Sequence, residues 1–149
     1  MIFDRFGARI FQPIVIWLCQ RTGATQLSIF REGWAVGLIL CFLIAYNQHV
    51  HWAWLTIIGV ITVSNVVMAA LRAPTTNDGT KPFNLFLRIG FMAFAVLDIF
   101  DLFYHGATRV RIYELGEELF ILLAEYALTV HTIPPTKVKE PKRKLVEQV

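Results

Sequence analysis

The sequence predicts an all-α integral membrane protein, with a four-helix, two-hairpin transmembrane domain preceded by an interfacial amphipathic helix. The first observation is composition, because 56% of the 149 residues are hydrophobic and 17% are charged, against roughly 25% charged in ordinary soluble domains. The second is a run of 39 residues, from Gly33 to Leu71, that contains no Asp, Glu, Lys or Arg. One helical crossing takes about 20 apolar residues, so this run is long enough for two. A second apolar stretch follows, and it differs from the first in carrying acidic residues.

Residues 1–32 are predicted to form an N-terminal amphipathic segment at the membrane surface. Within residues 1–22, apolar side chains recur every three or four positions. The polar side chains on the other side of this helix are Asp4, Arg5, Arg9 and Gln12. A helix of this kind lies in the headgroup plane with its apolar face towards the hydrocarbon. Its apolar core, residues 10–19, is too short to span a bilayer, and packing on a partner protein or re-entrant insertion are the alternatives.

Residues 33–133 are predicted to form the four-crossing domain, and residues 134–149 a basic, disordered tail. The predicted crossings run from residue 27 or 33 to 46, from 52 to 71, from 85 to 104 and from about 115 to 133. Interfacial aromatic residues flank the short polar turn after the first crossing. Prolines and an Asn-Asp-Gly turn interrupt the chain between the second and third crossings, and Pro134 ends the fourth.

The distribution of basic residues predicts the orientation. Twelve of the 14 Lys and Arg residues lie in the N-terminal segment, around the loop after the second crossing and in the tail. The other two, Arg109 and Arg111, belong to the opposite side. By the positive-inside rule both termini are cytoplasmic, and we expect a bacterial inner membrane protein. The tail would attract anionic lipid, by about 1 kcal/mol for each basic residue near the surface, and nucleic acid is not an expected partner because no folded basic face is present.

The first predicted crossing carries a stripe of small residues for helix packing. Its members are Gly33, Gly37, Cys41 and Ala45, spaced four residues apart. Small side chains on one stripe allow another helix backbone to come close. Two interpretations are open, in which the neighbouring helix belongs to the same chain or to a second copy.

The third and fourth predicted crossings each carry a polar stripe. At 100° per residue, Asp98 and Asp101 lie on one face of the third helix, and Glu118 and Glu125 on one face of the fourth. The predicted bounds place Glu125 near the middle of the membrane. Such carboxyl groups must be protonated, paired with a cation or in contact with water.

Three interpretations of these acidic faces are open. They can hold the helices together through polar contacts, line a proton or cation pathway, or bind a metal ion. The candidate metal ligands are His49, His51, His105 and Glu114, without a dense ligand motif.

The leading functional prediction is a small membrane subunit or scaffold, without catalysis of its own, that self-associates or joins a larger membrane complex. No nucleophile–base arrangement or glycine-rich phosphate loop is present, so neither an enzyme nor a cofactor is predicted. The expected partners are the lipid bilayer and either copies of the chain or other membrane subunits. The alternative function is an oligomeric proton or cation channel or carrier lined by the acidic faces. A lysis-type pore former is a lesser alternative.

Overall fold

Five helices form the part of the chain that the structure describes. The computed structural model describes residues 2–72 and 82–130, and no strand occurs among them. The helices are α1 (Ile2–Thr22), α2 (Gln26–Asn47), α3 (Trp52–Ala70), α4 (Pro82–His105) and α5 (Arg109–Ala127). The all-helical prediction is confirmed for these residues, whereas the predicted tail lies outside them. By length and composition, α2 and α3 can cross a membrane, which indicates membrane association.

Short polar side chains and two glycines set the helix ends. The side chains of Thr25, His51 and Thr108 accept hydrogen bonds from backbone N–H groups two or three residues later, at the starts of α2, α3 and α5. Such caps satisfy donors that have no partner within the helix. Gly23 and Gly106 have φ angles of 71° and 79° just after α1 and α4, a conformation that glycine adopts without a steric penalty.

These caps place two helices differently from the predicted bounds. α2 begins at Gln26, so residues 26–32 belong to the same helix as the first predicted crossing. α5 runs from Arg109 to Ala127, six residues before its predicted position at both ends, because Thr108 caps it. Glu125 consequently lies two residues from the end of α5, rather than near the middle of the helix as the predicted bounds placed it.

The centre of the bundle is the antiparallel pair of α2 and α5. α3 packs on α2, and α4 packs on α5. The helices therefore lie in the order α3, α2, α5, α4. In the described part of the chain, α3 and α4 make no contact with each other, although they are consecutive in sequence.

α1 packs across the first half of α4 and the final turns of α5 through a face of small and apolar residues, Gly7, Phe11, Val15 and Cys19, beside which Asp4 and Gln12 lie. The predicted polar side is not buried as a unit, because its two arginines are exposed. The guanidinium of Arg88 donates to Asp4 at 2.8 Å, and Gln12 donates to Thr129 at 2.9 Å. Phe11 stacks on Tyr126 with ring centroids 5.4 Å apart. The large apolar residues of the opposite side remain exposed: Ile2, Phe3, Phe6, Ile10, Ile14 and Trp17. This arrangement is the amphipathic pattern expected of a helix that meets lipid on one side and protein on the other.

Candidate functional site

Two cavities lie one after the other along α4 and α5. Apart from Phe83, the α4 side chains that line them are spaced three and four residues apart and so share one face: Asn84, Leu87, Phe91, Phe94 and Asp98. Each cavity contains one deeply buried carboxyl group of α5, Glu118 in one and Glu125 in the other. These two residues are seven positions apart, which places them on the same face of α5 about 10 Å apart along the helix axis.

The Glu125 cavity has a volume of about 530 Å³ and lies between α3 and α4. Its floor is formed by α2, through Trp34 and its neighbours, and by Glu125 of α5. The remaining polar lining residues are Arg31, Ser64, Asn65 and Asn84. The other walls are aliphatic or aromatic side chains, so the cavity combines a small number of polar groups with a largely apolar surface.

Glu125 is fixed in place by one hydrogen bond. The indole Nε1 of Trp34 donates to Glu125 Oε1 at 2.9 Å. The second oxygen, Oε2, is buried and has no hydrogen-bond partner, and the residue is only 1% exposed. A buried polar atom without a partner costs about 1–3 kcal/mol, and more when it is charged. The free oxygen therefore favours an occupant of the cavity that can donate a hydrogen bond.

The Glu118 cavity is smaller, about 300 Å³, and more acidic. It is lined by Phe91, Phe94, Asp98, Glu114, Glu117 and Glu118. Glu118 is 8% exposed and its Oε2 is also buried without a hydrogen-bond partner. The other glutamates have partners on α2, because Glu114 accepts from Gln48 at 3.3 Å and Glu117 is hydrogen-bonded to Cys41. Glu118 is thus the carboxyl group in this cavity that most needs a donor.

An aromatic pair connects the two cavities. Trp34 lines the Glu125 cavity and Phe91 lines the Glu118 cavity. Their rings meet edge to face, with centroids 6.3 Å apart and an interplanar angle of 86°. Because Trp34 also holds Glu125, a movement of this indole would change both the aromatic contact and the orientation of the carboxyl group.

The four acidic residues predicted from sequence separate into two groups. Asp98 and Glu118 share a cavity and Glu125 lines the other. Asp101 lines neither of these cavities, since it forms ion pairs with Arg111 at 2.5 Å and with His105 at 2.6 Å. Asp101 therefore connects the end of α4 to the start of α5 rather than lining a cavity.

The predicted metal ligands do not form a ligand group. His51 accepts a hydrogen bond from the backbone N–H of Ala53, and His105 contacts Asp101. His49 lies in the turn between α2 and α3, and Glu114 accepts from Gln48. Within residues 2–72 and 82–130, no three His, Cys, Asp or Glu side chains are placed to hold a metal ion.

The small-residue stripe of α2 faces α5 of the same chain. A Cβ added at Gly33 would lie 2.8 Å from the carbonyl oxygen of Phe120, and one at Gly37 would lie 2.6 Å from Ile121 Cγ1. Cys41 contacts Glu117 on the same side, and Ala45 is buried. This stripe brings α2 close enough to α5 for Trp34 to reach Glu125.

Two residues of the site, Trp34 and Asn84, were not predicted from the sequence. Asn84 lies 14 positions before Asp98, and this separation places both on the same helical face. That spacing was an available signal. The indole of Trp34 carried no such signal, because its partner Glu125 is 91 residues away.

No family model matches this chain, and no curated protein or solved structure is significantly similar to it.

Proposed function

We propose that this chain is a four-crossing integral membrane protein that binds protons or monovalent cations at Glu118 and Glu125 and passes them between the two cavities. The observation that carries the proposal is the pair of buried carboxyl oxygens on one face of α5 that have no hydrogen-bond partner. Both termini would be cytoplasmic, as the distribution of Lys and Arg predicts. The pathway would run inside a single chain, along the faces that α4 and α5 present to each other and to α2.

The lengths and surfaces of α4 and α5 support two further crossings. With 24 and 19 residues, they are about 36 and 28 Å long, close to the thickness of the hydrocarbon core. Their charged groups lower their average hydropathy, but several of these groups face inwards. Arg88 is 5% exposed, for example, and Glu125 is 1% exposed. The exposed large residues in the second half of α4 are apolar or aromatic: Phe94, Val96, Leu97, Ile99, Phe100, Phe103 and Tyr104.

A positively charged occupant suits the Glu118 cavity, whose charged lining residues are all acidic. In the Glu125 cavity, which Arg31 also lines and where the charge of Arg88 acts on Glu125, a proton or a hydrogen-bond donor is the better complement to the free carboxyl oxygen. Buried acidic residues within membrane segments are costly unless they are neutralised, and they commonly mark ion or proton pathways. A proton on Glu125 or a cation beside it would offset this cost. The Glu118 cavity offers three additional carboxyl groups. It would therefore concentrate cations at the end of the pathway that lies nearer the start of α5.

The packing of α2 favours this proposal over the self-associating scaffold. The residues that suggested self-association were the small ones at Gly33 and Gly37. α5 of the same chain occupies the space beside them. The two buried carboxyl oxygens without a hydrogen-bond partner, in contrast, both belong to residues that line the cavities.

Flux through liposomes tests the proposal. Purified full-length protein is reconstituted, and proton and potassium movement is followed with a pH-sensitive dye and a potassium electrode. We expect Glu125→Gln and Glu118→Gln each to reduce flux at least tenfold, because the amide cannot exchange a proton or balance a cation. The matched control is Glu32→Gln, the same chemical change at an exposed residue outside both cavities. Absence of flux in the unmodified protein, or equal flux in Glu125→Gln and Glu32→Gln, would contradict the proposal.

A further inference from the structure

We infer that the Glu125 cavity binds amphipathic primary amines, with the ammonium group at Glu125 and the apolar chain between α3 and α4. This inference rests on the proposed function, because it assigns a ligand class to one of the two sites that the proposed function uses. The carboxyl group, the size and surface of the cavity, and its position between the separated backbones of α3 and α4 all support this ligand class.

The carboxyl group selects for a charged hydrogen-bond donor. Glu125 Oε1 already accepts from Trp34, while Oε2 is buried and has no hydrogen-bond partner, although the positive charge of Arg88 acts on this carboxyl group. A primary ammonium supplies both a positive charge and N–H donors. Asn65 offers a second acceptor, because its amide nitrogen donates to the carbonyl of Ile61 at 3.0 Å and its side-chain oxygen remains to accept. The indole ring of Trp34 adds a surface on which cations bind favourably.

The volume and walls fit a ligand larger than a metal ion. A cavity of about 530 Å³ lies in the range of small-molecule sites, which are mostly apolar with a few placed polar groups. The apolar and aromatic walls include Leu38, Ile61, Met68, Phe83 and Leu87. A bare cation would leave these walls without contacts, whereas an alkyl chain would pack against them.

The position of the cavity gives the alkyl chain a way in. α3 and α4 form opposite walls and make no contact with each other in the described part of the chain. An apolar chain can therefore pass between them into the surrounding hydrocarbon. Arg31 lines the same cavity one helical turn before Trp34, so an aminophospholipid would place its phosphate near this guanidinium. A single-chain amine and an aminophospholipid share the ammonium chemistry, and the experiment separates them.

The test measures equilibrium binding of radiolabelled dodecylamine to the full-length protein in phosphatidylcholine nanodiscs, with empty nanodiscs correcting for partition into lipid. We expect saturable binding of one dodecylamine per chain. Glu125→Gln should weaken it at least tenfold, and Trp34→Phe several-fold, because the second change removes the N–H that orients the carboxyl group and part of the ring surface. Glu32→Gln, the same chemical change at an exposed residue outside both cavities, should stay within twofold of the unmodified protein.

Competing ligands and a second lipid define the chemistry. Dodecanol and dodecyltrimethylammonium should compete at least tenfold less well, since one lacks the charge and the other lacks N–H donors. In nanodiscs containing phosphatidylethanolamine, weaker dodecylamine binding would identify the lipid headgroup as the ammonium source. Unchanged binding there would identify the free amine, and both results support the inference.

Two results would overturn the inference. One is equal dodecylamine affinity in Glu125→Gln and in the unmodified protein, with folding verified by circular dichroism and size-exclusion chromatography. The other is competition by dodecanol as strong as that by the amine. The inference and the proposed function can fail separately. Specific amine binding without ion flux refutes transport alone, whereas flux that depends on Glu125 without amine binding refutes the ligand class alone.

Discussion

At the scale of single residues, Arg88 holds the N-terminal helix to the bundle. Its guanidinium donates to Asp4 at 2.8 Å and lies over the ring of Tyr126, 5.5 Å from the centroid. The hydroxyl of Tyr126 donates to Asp4 at 3.3 Å. Because Arg88 is 5% exposed, water does little to stabilise its positive charge. The carboxylate of Asp4 therefore stabilises this charge far more than it would stabilise that of a surface arginine.

Asp4→Asn should therefore destabilise the protein by about 1–3 kcal/mol, the usual range for losing hydrogen bonds to a charged group. The measurement is the folded fraction during titration of mixed micelles with sodium dodecyl sulfate. Arg5→Gln is the control, because Arg5 is an exposed neighbour on the same helix, and it should change stability by less than about 0.5 kcal/mol. Equal stability of the two variants would show that the Asp4 contact contributes nothing measurable.

The sequence predicted three of the acidic cavity residues, because Asp98, Glu118 and Glu125 stand out against apolar surroundings. It could not predict which of them would lack a partner. Trp34 reaches Glu125 across 91 residues of sequence, and Arg88 pairs with a carboxylate 84 residues away. Such pairs depend on how helices cross, and the periodicity of one helix carries no information about its neighbour.

At the scale of elements, the α2–α5 contact sets the geometry on which the cavities depend. Gly33 and Gly37 let α2 approach the backbone of α5. A side chain introduced at Gly33 would collide with a backbone carbonyl oxygen of α5. This oxygen cannot move aside as the end of a flexible side chain could. The two helices must then separate, and the distance from Trp34 to Glu125 must grow.

Gly33→Ala should consequently cost about 1–3 kcal/mol, the range for inserting a methyl group into a packed core. Gly90→Ala is the matched control, because Gly90 is also helical and an added Cβ there meets no atom within 4 Å among the described residues. Alanine is the better helix former by about 1 kcal/mol, so the control should be neutral or slightly stabilised. Thermal unfolding in detergent, followed by circular dichroism, compares them. Identical melting behaviour would mean that α2 and α5 accommodate the methyl group.

Helix existence was more predictable than helix ends. Apolar periodicity and length predicted every helix that the structure describes. The bounds of α5 were predicted six residues too late at both ends, because the apolar run from Leu115 outweighed the capping signal at Thr108. A threonine followed by a helix that starts with arginines is weak evidence in sequence alone, although its hydrogen bond fixes the first turn in the structure.

At the scale of the whole molecule, the bundle places many apolar residues outside and several charged ones inside. Among the described helices, α3 packs on α2 alone, and it is exposed along most of its length. The apolar side of α1 and the outer face of α4 are exposed as well. A surface of this extent is unusual for a soluble monomer, and lipid is the medium that covers it at no cost in solvation.

Cysteine labelling tests the proposed topology. Single cysteines are introduced by His49→Cys and Ala107→Cys in a background without Cys19 and Cys41, and intact cells are treated with a membrane-impermeant maleimide. Ala107 is exposed in the α4–α5 turn. Four crossings predict labelling at both positions, because the α2–α3 and α4–α5 turns would share the outer side. Lys144→Cys is the control and should be labelled only after permeabilisation. Protection of Ala107→Cys with labelling of His49→Cys would mean that α4 and α5 do not cross.

The separation of α3 from α4 bears on how the proposed membrane domain is assembled. The α2–α3 hairpin has no charged residue from Gly33 onwards, so the translocation machinery can release it into lipid on hydropathy alone. The second hairpin carries acidic side chains that cost about 2.5–3.5 kcal/mol each at the centre of an isolated helix. Its stable insertion depends on α2 being present to receive α5, because Trp34 and the small-residue stripe supply the contacts that lipid cannot. The order of the hairpins along the chain is thus also the order in which they can enter the membrane.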